Sequence, residues 1–329
     1  MKKATLLLAL ATAALTACTG NKTTATNATE ADTTQTNATA ESTELQIGIQ
    51  SDVPPIPFYM IDGENAQVAY WTEMELWEEA DEALRTSWAV QNAVHQHPER
   101  YTKILGSDNT LYDAAFKEEI LGDSLHPADV GMLRNKWHKM QGLKYDVKDL
   151  KRLNRNGYRS LAWLLADDYL ADRKMLNVKH GAELGGSNPL PADIIQKMEA
   201  KYKGKADRSE ITAHIGDKYT AGFIQFKPQG ETCLAVEVVT DSEHIWSYSE
   251  SAEFYDGEFS WHVDDGGEYF GNSIDAAFEG PNGLELLFTH YAPESVGCGW
   301  LTTQGKTLLR NYEIAGYYNY PESDDARDE

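Results

Sequence analysis

The chain has 329 residues, of which 41% are hydrophobic, so it can bury the core of one or two domains. Its 29 basic and 52 acidic side chains give a formal net charge of −23. So large a negative charge repels polyanions and argues against nucleic acid as a partner.

The N-terminus has the pattern of a secretory signal. Lys2 and Lys3 precede an apolar run over residues 4–15, which is shorter than the roughly 20 residues of a membrane-spanning helix. The tetrapeptide Leu15-Thr16-Ala17-Cys18 follows directly, and residues 1–18 thereby resemble the signal and lipobox of bacterial lipoproteins. The resemblance implies that residues 1–17 are removed, and that Cys18 receives a diacylglyceryl thioether and a fatty acyl group such as palmitate on its freed amine.

The next segment, residues 19–44, has the composition of a tether. It holds ten Thr, five Ala and three Asn, with no aromatic residue and no Leu, Ile or Val, so it cannot bury enough apolar surface to fold. We therefore expect the lipidated Cys18 and a disordered tether to hold the globular part at a membrane of the cell envelope. Thr19 stands where an aspartate can favour inner-membrane retention of lipoproteins, which favours the outer membrane and a position facing the periplasm or the cell surface.

The remaining chain predicts an α+β fold, with an N-terminal helical region followed by a C-terminal antiparallel β sandwich or barrel. We expect a mainly helical region over residues 45–205, a β domain over residues 206–321 and an acidic tail over residues 322–329. The helical region has apolar residues at spacings of three and four, and short connections. Its predicted helices cover residues 72–97, a short segment with Tyr101, Ile104 and Leu105, and residues 110–121, 127–140, 147–153, 158–176 and 191–202.

The C-terminal part is typical of consecutive antiparallel strands. Strand-like runs occur at residues 222–226 and 234–238, and a hairpin is predicted over residues 254–259 around Asp256-Gly257. Further turns at residues 281–283 and 304–306 separate apolar runs on either side. Turns every eight to twelve residues or so are the spacing of an antiparallel sandwich or barrel.

Two cysteines, Cys233 and Cys298, remain after Cys18. In an exported protein an even pair predicts a disulfide, which would stabilise the fold by roughly 4 kcal/mol. The alternative is a pair of buried free thiols, because spacing alone does not bring two residues within bonding distance.

The densest group of acidic side chains in the β part is a candidate ligand or cation loop. Asp264, Asp265 and Glu268 alternate with glycines that let a loop curl, and Trp261 lies just before them. The alternative is a solvated acidic turn, since the spacing is not that of an EF-hand. Many aromatic residues surround the loop, and we expect most of them to lie in the core.

A basic segment over residues 134–159 has a net charge of +7 in this acidic protein. Its candidate contact face consists of Lys148, Lys151, Arg152 and Arg155, which lie at helical spacing. We predict that this segment docks at least partly against the acidic β part, and the alternatives are a site for a polyanion or lipid head groups and a solvated helix face.

The sequence contains no motif that commits it to a reaction, such as HExxH, GxSxG, a phosphate loop or paired CxxC. His244, His262 and His290 fall on predicted strands, but their spacing does not require a shared metal. We therefore expect no metal and no cofactor, and a lipid-anchored envelope protein that binds a ligand or protein partner without catalysis. One alternative is a surface glycan-binding protein, and another is a hydrolase with a carboxylate pair in the β domain.

Overall fold

A computed structural model describes residues 54–59, 66–69, 96–106, 109–120, 142–148, 161–180, 188–255, 258–259, 261, 269–291 and 295–317. All of them belong to one compact unit, Thr43–Glu329. Two sheets make up most of this part of the chain.

The smaller sheet has six antiparallel strands in the order β1-β6-β3-β4-β5-β2. Its two end strands, β1 and β2, also lie close to each other, so the sheet is strongly curved. The strands are β1 (Ile56–Tyr59), β2 (Ala66–Ala69), β3 (Tyr101–Leu105), β4 (Leu111–Ile120), β5 (Gly142–Val147) and β6 (Leu161–Ala166).

The larger sheet is barrel-like and runs in the order β7-β14-β15-β16-β17-β12-β11-β10-β9-β8, with β13 paired to β12. The strands at the two ends of this order, β7 and β8, are consecutive in the chain and are separated only by Asn177. Strand β7 pairs with β14 and strand β8 pairs with β9, so this short stretch nearly closes the sheet. Neighbouring strands are antiparallel except β12 and β17. The strands are β7 (Lys174–Leu176), β8 (Val178–His180), β9 (Ala206–Ile215), β10 (Tyr219–Phe226), β11 (Thr232–Thr240), β12 (Ile245–Tyr255), β13 (Glu258–Phe259), β14 (Ser273–Gly280), β15 (Gly283–Tyr291), β16 (Ser295–Gln304) and β17 (Thr307–Tyr317).

Helices are short in the described ranges. They are a 3-10 turn (Pro98–Arg100), α1 (Asp167–Leu170) and α2 (Ala192–Tyr202). Helix α2 confirms the helix predicted over residues 191–202, and Ile194 and Met198 on its buried face pack against the outer face of β10 and β11. None of the described helices is long and apolar enough to cross a membrane.

The barrel-like sheet has two buried faces over much of its length. Side chains from β7 to β11 and from β14 to β17 meet in its interior, where Ala221, Val239, Leu286 and Leu301 belong to one apolar cluster. Outside, α2 covers one part of the sheet and the smaller sheet covers another, where Phe278 and Trp300 join a cluster with Trp163. Consecutive residues are therefore buried along strands such as β10 and β11, which are close to continuous apolar runs.

The predicted α+β class with an N-terminal helical region is wrong, because the described parts of residues 45–205 are mostly β. The segment of Tyr101, Ile104 and Leu105 is strand β3, residues 110–121 contain β4, and residues 158–176 contain β6, α1 and β7. For β6 burial explains the error: Ala162 to Ala166 are all buried, and a strand covered on both faces loses the alternation that distinguishes it from a helix.

The predicted boundary at residues 205 and 206 does not separate a helical domain from a β domain, since β7 and β8 precede it and belong to the larger sheet. The strands predicted after it are confirmed. The segments 254–255 and 258–259 pair as β12 and β13, and the turns at 281–283 and 304–306 join β14 to β15 and β16 to β17. Of the helix predicted over residues 72–97 the structure describes only residues 96 and 97, and the helix predicted over residues 127–140 lies outside the described residues.

Candidate functional site

The interior of the barrel-like sheet is apolar at one end and polar at the other. Residues two apart on a strand share a face, so Glu237 lies on the same interior face as Val239, and its cross-strand partner Tyr248 lies beside it. We call the group around Glu237 the polar end. It consists of Glu237, Tyr248, Tyr269, Asn272, His290 and Arg310.

Glu237 is the centre of the polar end and is only 4% exposed. Its Oε1 accepts two hydrogen bonds, one from the Tyr269 hydroxyl at 2.8 Å and one from the backbone N–H of Asn272 at 2.9 Å. The second oxygen, Oε2, accepts no hydrogen bond from the described residues.

Asn272 extends the network across the interior. Its side-chain Nδ2 donates to the Tyr248 hydroxyl at 2.6 Å, and its Oδ1 lies 3.3 Å from Nδ1 of His290. Since Oδ1 is an acceptor, Nδ1 of His290 is the protonated ring nitrogen in this contact. Strands β12 and β15 are thereby connected through the segment before β14.

Aromatic rings surround the hydrogen-bonded groups. The Tyr269 ring contacts Phe223 and Trp261 edge to face, with centroids 5.4 and 5.0 Å apart, and lies 5.8 Å from the His290 ring. Gly271 makes this packing feasible because its φ is +73° and a Cβ there would lie 2.4 Å from the Phe223 ring. The neighbouring Phe270 is 53% exposed.

Two guanidinium groups complete the polar end and its rim. The Arg310 guanidinium lies 4.9 Å from the centre of the Tyr248 ring and forms an ion pair with Glu250. On the other side, the Arg208 guanidinium lies 5.4 Å from the centre of the Phe223 ring and pairs with Glu210 at 3.2 Å. Each cation therefore has a carboxylate and an aromatic face as neighbours.

The environment of Glu237 changes its protonation. Burial raises the pKa of Glu237 from its ordinary 4.5 to about 7, although the bonds from Tyr269 and Asn272 and the charge of Arg310 each favour the ionised form. Because Oε1 already accepts two bonds, the proton of the neutral acid belongs on Oε2. Near neutral pH this oxygen can therefore either donate or accept a hydrogen bond.

The predicted ligand loop is only partly described. Asp264, Asp265 and Glu268 lie outside the described residues, whereas Trp261 packs against Tyr269 at the polar end. Of the three histidines on predicted strands, His290 belongs to the polar end, and His244 stacks on Trp246 at the opposite end of β12. The described residues contain no group of three side chains suited to hold a metal ion.

The predicted disulfide is corrected by the structure, in which Cys233 and Cys298 are buried free thiols. They lie on β11 and β16, and β12 and β17 stand between these strands. Three strand spacings of about 4.8 Å therefore separate the two strands along the sheet. The alternative of two buried thiols is the one that holds.

Two other predicted sites remain untested. Lys148 is exposed just after β5, and its backbone N–H donates to the Asp113 carbonyl. Its partners in the basic contact face, Lys151, Arg152 and Arg155, lie outside the described residues, as does Cys18. Docking of this face against the β part stays a prediction.

No pattern in the sequence predicted Glu237, Tyr269, Asn272 and His290 as a group. One signal was present: Glu237 is the single charged residue in the otherwise apolar run of residues 233–239. A charge in a strand buried on both faces must be compensated, and such groups are often functional. Comparisons of the chain with protein-family models, curated proteins and solved structures found no match.

Proposed function

We propose that this chain is a lipid-anchored cell-envelope protein whose barrel-like sheet binds a ligand at the polar end without transforming it. The observation that carries the proposal is Oε2 of Glu237, an oxygen of a buried carboxyl group that accepts no hydrogen bond from the described residues. A buried polar atom without a partner is costly, and a ligand that supplies the missing hydrogen bond offsets that cost. The mouth of a barrel is also a common place for a small-molecule site.

The anchor is proposed from the sequence. The Lys2-Lys3 start, the short apolar run and the Leu15-Thr16-Ala17-Cys18 tetrapeptide support lipidation of Cys18. Two or three acyl chains bind a membrane firmly, at about 0.8 kcal/mol for each buried methylene. The tether would leave the barrel-like sheet accessible to ligands in the envelope, on the outer membrane by preference.

Equilibrium binding to the full chain, purified in detergent, tests the ligand site. The probes are neutral oligosaccharides, a quaternary ammonium compound, a dicarboxylate and inorganic phosphate, and the variants are Glu237→Leu and Glu253→Gln, an exposed glutamate on β12. We expect at least one probe class to bind, and to bind at least about tenfold more weakly to the Glu237→Leu variant. Absence of binding by every class, or binding that the variant leaves unchanged, would overturn the proposal.

A hydrolase is the second candidate, and the placement of two carboxylates favours it. Glu237 faces Tyr248 across the strands, and Glu250 is two residues further along β12. The backbones of such diagonal neighbours are about 7–8 Å apart, so two carboxyl side chains on the same face can reach the separation of the carboxyl pair in glycoside hydrolases. The raised pKa of Glu237 suits a general acid.

Turnover distinguishes the two candidates. A panel of aryl glycosides is incubated with the full chain and with the Glu237→Gln and Glu253→Gln variants. A hydrolase would release the aryl group, and Glu237→Gln would lower the rate by about 100-fold or more because the amide cannot act as an acid. A binding protein would release none with any of the three chains.

A further inference from the structure

We infer that the ligand of the polar end is a neutral, hydroxyl-rich molecule, a saccharide, whose hydroxyl group meets Oε2 of Glu237. The inference rests on the proposed function and specifies its ligand. Three features of the polar end carry it, namely the hydrogen-bonding capacity of Oε2, the charges already present and an exposed aromatic ring.

The first feature is that Oε2 suits a hydroxyl partner in either protonation state. A ligand hydroxyl both donates and accepts, so it can donate to the carboxylate and accept from the carboxylic acid. Oε1 is held by Tyr269 and Asn272, which orients the carboxyl group before the ligand arrives. A preorganised group of this kind loses little freedom on binding.

The second feature is that the charges near Glu237 disfavour an ionic ligand. A cationic ligand would seek the carboxylates and the aromatic faces, but Arg310 occupies the face of Tyr248 and Arg208 that of Phe223. An anionic ligand would meet Glu237, and beyond it Glu250 and Glu210, which are already paired with these arginines. Residues 206–329, which form most of the larger sheet, also carry 24 acidic and only 6 basic side chains. A neutral ligand avoids both repulsions.

The third feature is an exposed ring next to the buried one. Phe270 and Leu111 are the only large apolar side chains that are exposed in the described ranges, and Phe270 directly follows Tyr269. Around Gly271, which has a positive φ, Tyr269 and Asn272 are buried while Phe270 is exposed. An exposed phenyl ring offers a surface for the apolar C–H face of a sugar ring.

A neutral glycan array with the full chain tests the inference, followed by equilibrium titration of the best oligosaccharide. We expect Glu237→Leu to weaken binding at least about tenfold, and Glu237→Gln by about threefold or less, because an amide still hydrogen-bonds a hydroxyl. Phe270→Ala should weaken binding about fivefold, and Glu253→Gln should leave it unchanged. Thermal unfolding of each variant shows whether it is folded.

The outcomes separate the ligand class from the proposed function. The quaternary ammonium compound could bind the wild-type protein and lose binding equally in Glu237→Leu and Glu237→Gln. This result would show that the ligand is a cation and not a saccharide, and the proposed ligand site would still hold. Glu237-dependent binding of phosphate or the dicarboxylate would do the same. If no probe binds the folded protein, both the inference and the proposed function are wrong.

Discussion

Glu237 shows how one residue can be both a cost to the fold and a candidate for its function. Removing a carboxyl group from water is unfavourable, and here two hydrogen bonds and a nearby guanidinium compensate only in part. The remaining penalty is expressed as a raised pKa. Its consequences for stability can therefore be measured by titration.

We predict that Glu237 makes the protein less stable as the pH rises. The pKa of Glu237 is about 7 in the folded state against an ordinary 4.5, so over this interval the folded protein holds a proton that the unfolded chain releases. This contribution is fully present below pH 4.5 and is lost as the pH rises through 7. Each unit of pKa difference corresponds to about 1.4 kcal/mol, so the raised pKa contributes about 3 kcal/mol to the free energy of unfolding at low pH.

Urea unfolding at pH 4.5 and pH 8 measures this effect. The free energy of unfolding of the wild-type protein should fall by about 3 kcal/mol more than that of Glu237→Gln. Asp275, whose pKa burial raises to about 6, contributes in the same direction but equally to both proteins. Equal falls in the two proteins would contradict the prediction, and Glu253→Gln serves as the control.

Glu285 is a second buried carboxylate, and its environment is that of a structural group. Its Oε1 accepts from Arg173 Nε at 2.9 Å, and its Oε2 accepts from the Tyr169 hydroxyl at 2.8 Å and from Trp300 Nε1 at 3.2 Å. Both carboxyl oxygens are thus occupied, in contrast to Glu237. The arginine side chain also stacks on the Tyr169 ring at 4.1 Å.

Replacing Arg173 by Met should destabilise the protein by about 3–5 kcal/mol, because Glu285 would remain buried without its cation. The double variant Arg173→Met with Glu285→Gln should recover part of this loss, since no charge is then left uncompensated. Urea unfolding at pH 7 provides the comparison. If the double variant is as unstable as the single one, the loss comes from packing and not from charge.

At the scale of the elements, a hydrogen-bonded aspartate connects the two sheets. Asp275 on β14 accepts at Oδ2 from Trp163 Nε1 of β6 at 2.9 Å and from the Thr289 hydroxyl of β15 at 2.6 Å. The surrounding cluster of apolar side chains supplies the main contact between the sheets. The hydrogen bonds of Asp275 make this contact directional, because the two donors belong to different sheets.

We predict that Asp275→Ala lowers the free energy of unfolding by about 2–5 kcal/mol, because it leaves the Trp163 and Thr289 donors without an acceptor. Asp275→Asn should cost only about 1 kcal/mol or less, since an amide oxygen can accept both bonds. Chemical denaturation of the two variants tests this. Similar losses in both would mean that the carboxylate charge matters and the hydrogen bonds do not.

For the whole molecule, the separation of anchor and folded body is the main expectation. The lipid site is proposed at Cys18, the described body begins at residue 54, and a Thr-rich segment stands between them. The composition of residues 19–44 predicts a tether, which as a flexible chain would span roughly 25–30 Å on average.

We predict that Cys18→Ser abolishes lipidation and leaves the leader uncleaved or cleaved elsewhere. The reason is that the thiol is the atom on which the diacylglyceryl group would be built. Labelling with radioactive palmitate and mass spectrometry of the N-terminus measure this. Label that persists in the variant would contradict the prediction, whereas Thr19→Ser should be labelled like the wild-type protein.

The sequence alone was sufficient where the signal is local. The turns at residues 281–283 and 304–306 each contain a glycine with positive φ, Gly283 and Gly305, and helix α2 directly follows Pro191. Turns and helix ends depend on neighbouring residues, so a short window contains the information. The lipid anchor rests on an equally local pattern and stays a prediction.

Tertiary structure decided the rest. Strands β3, β4 and β6 were predicted as helices although all three lie in the smaller sheet. In β6 burial on both faces removes the alternation of a strand, and only the packing shows which faces are buried. The polar end draws Glu237 from β11, Tyr248 from β12, Asn272 from the segment before β14 and His290 from β15. No spacing in the chain relates these residues, because cross-strand register and closure of the sheet bring them together. The sequence thus determined the turns and helix α2, whereas the closure of the barrel-like sheet created the site.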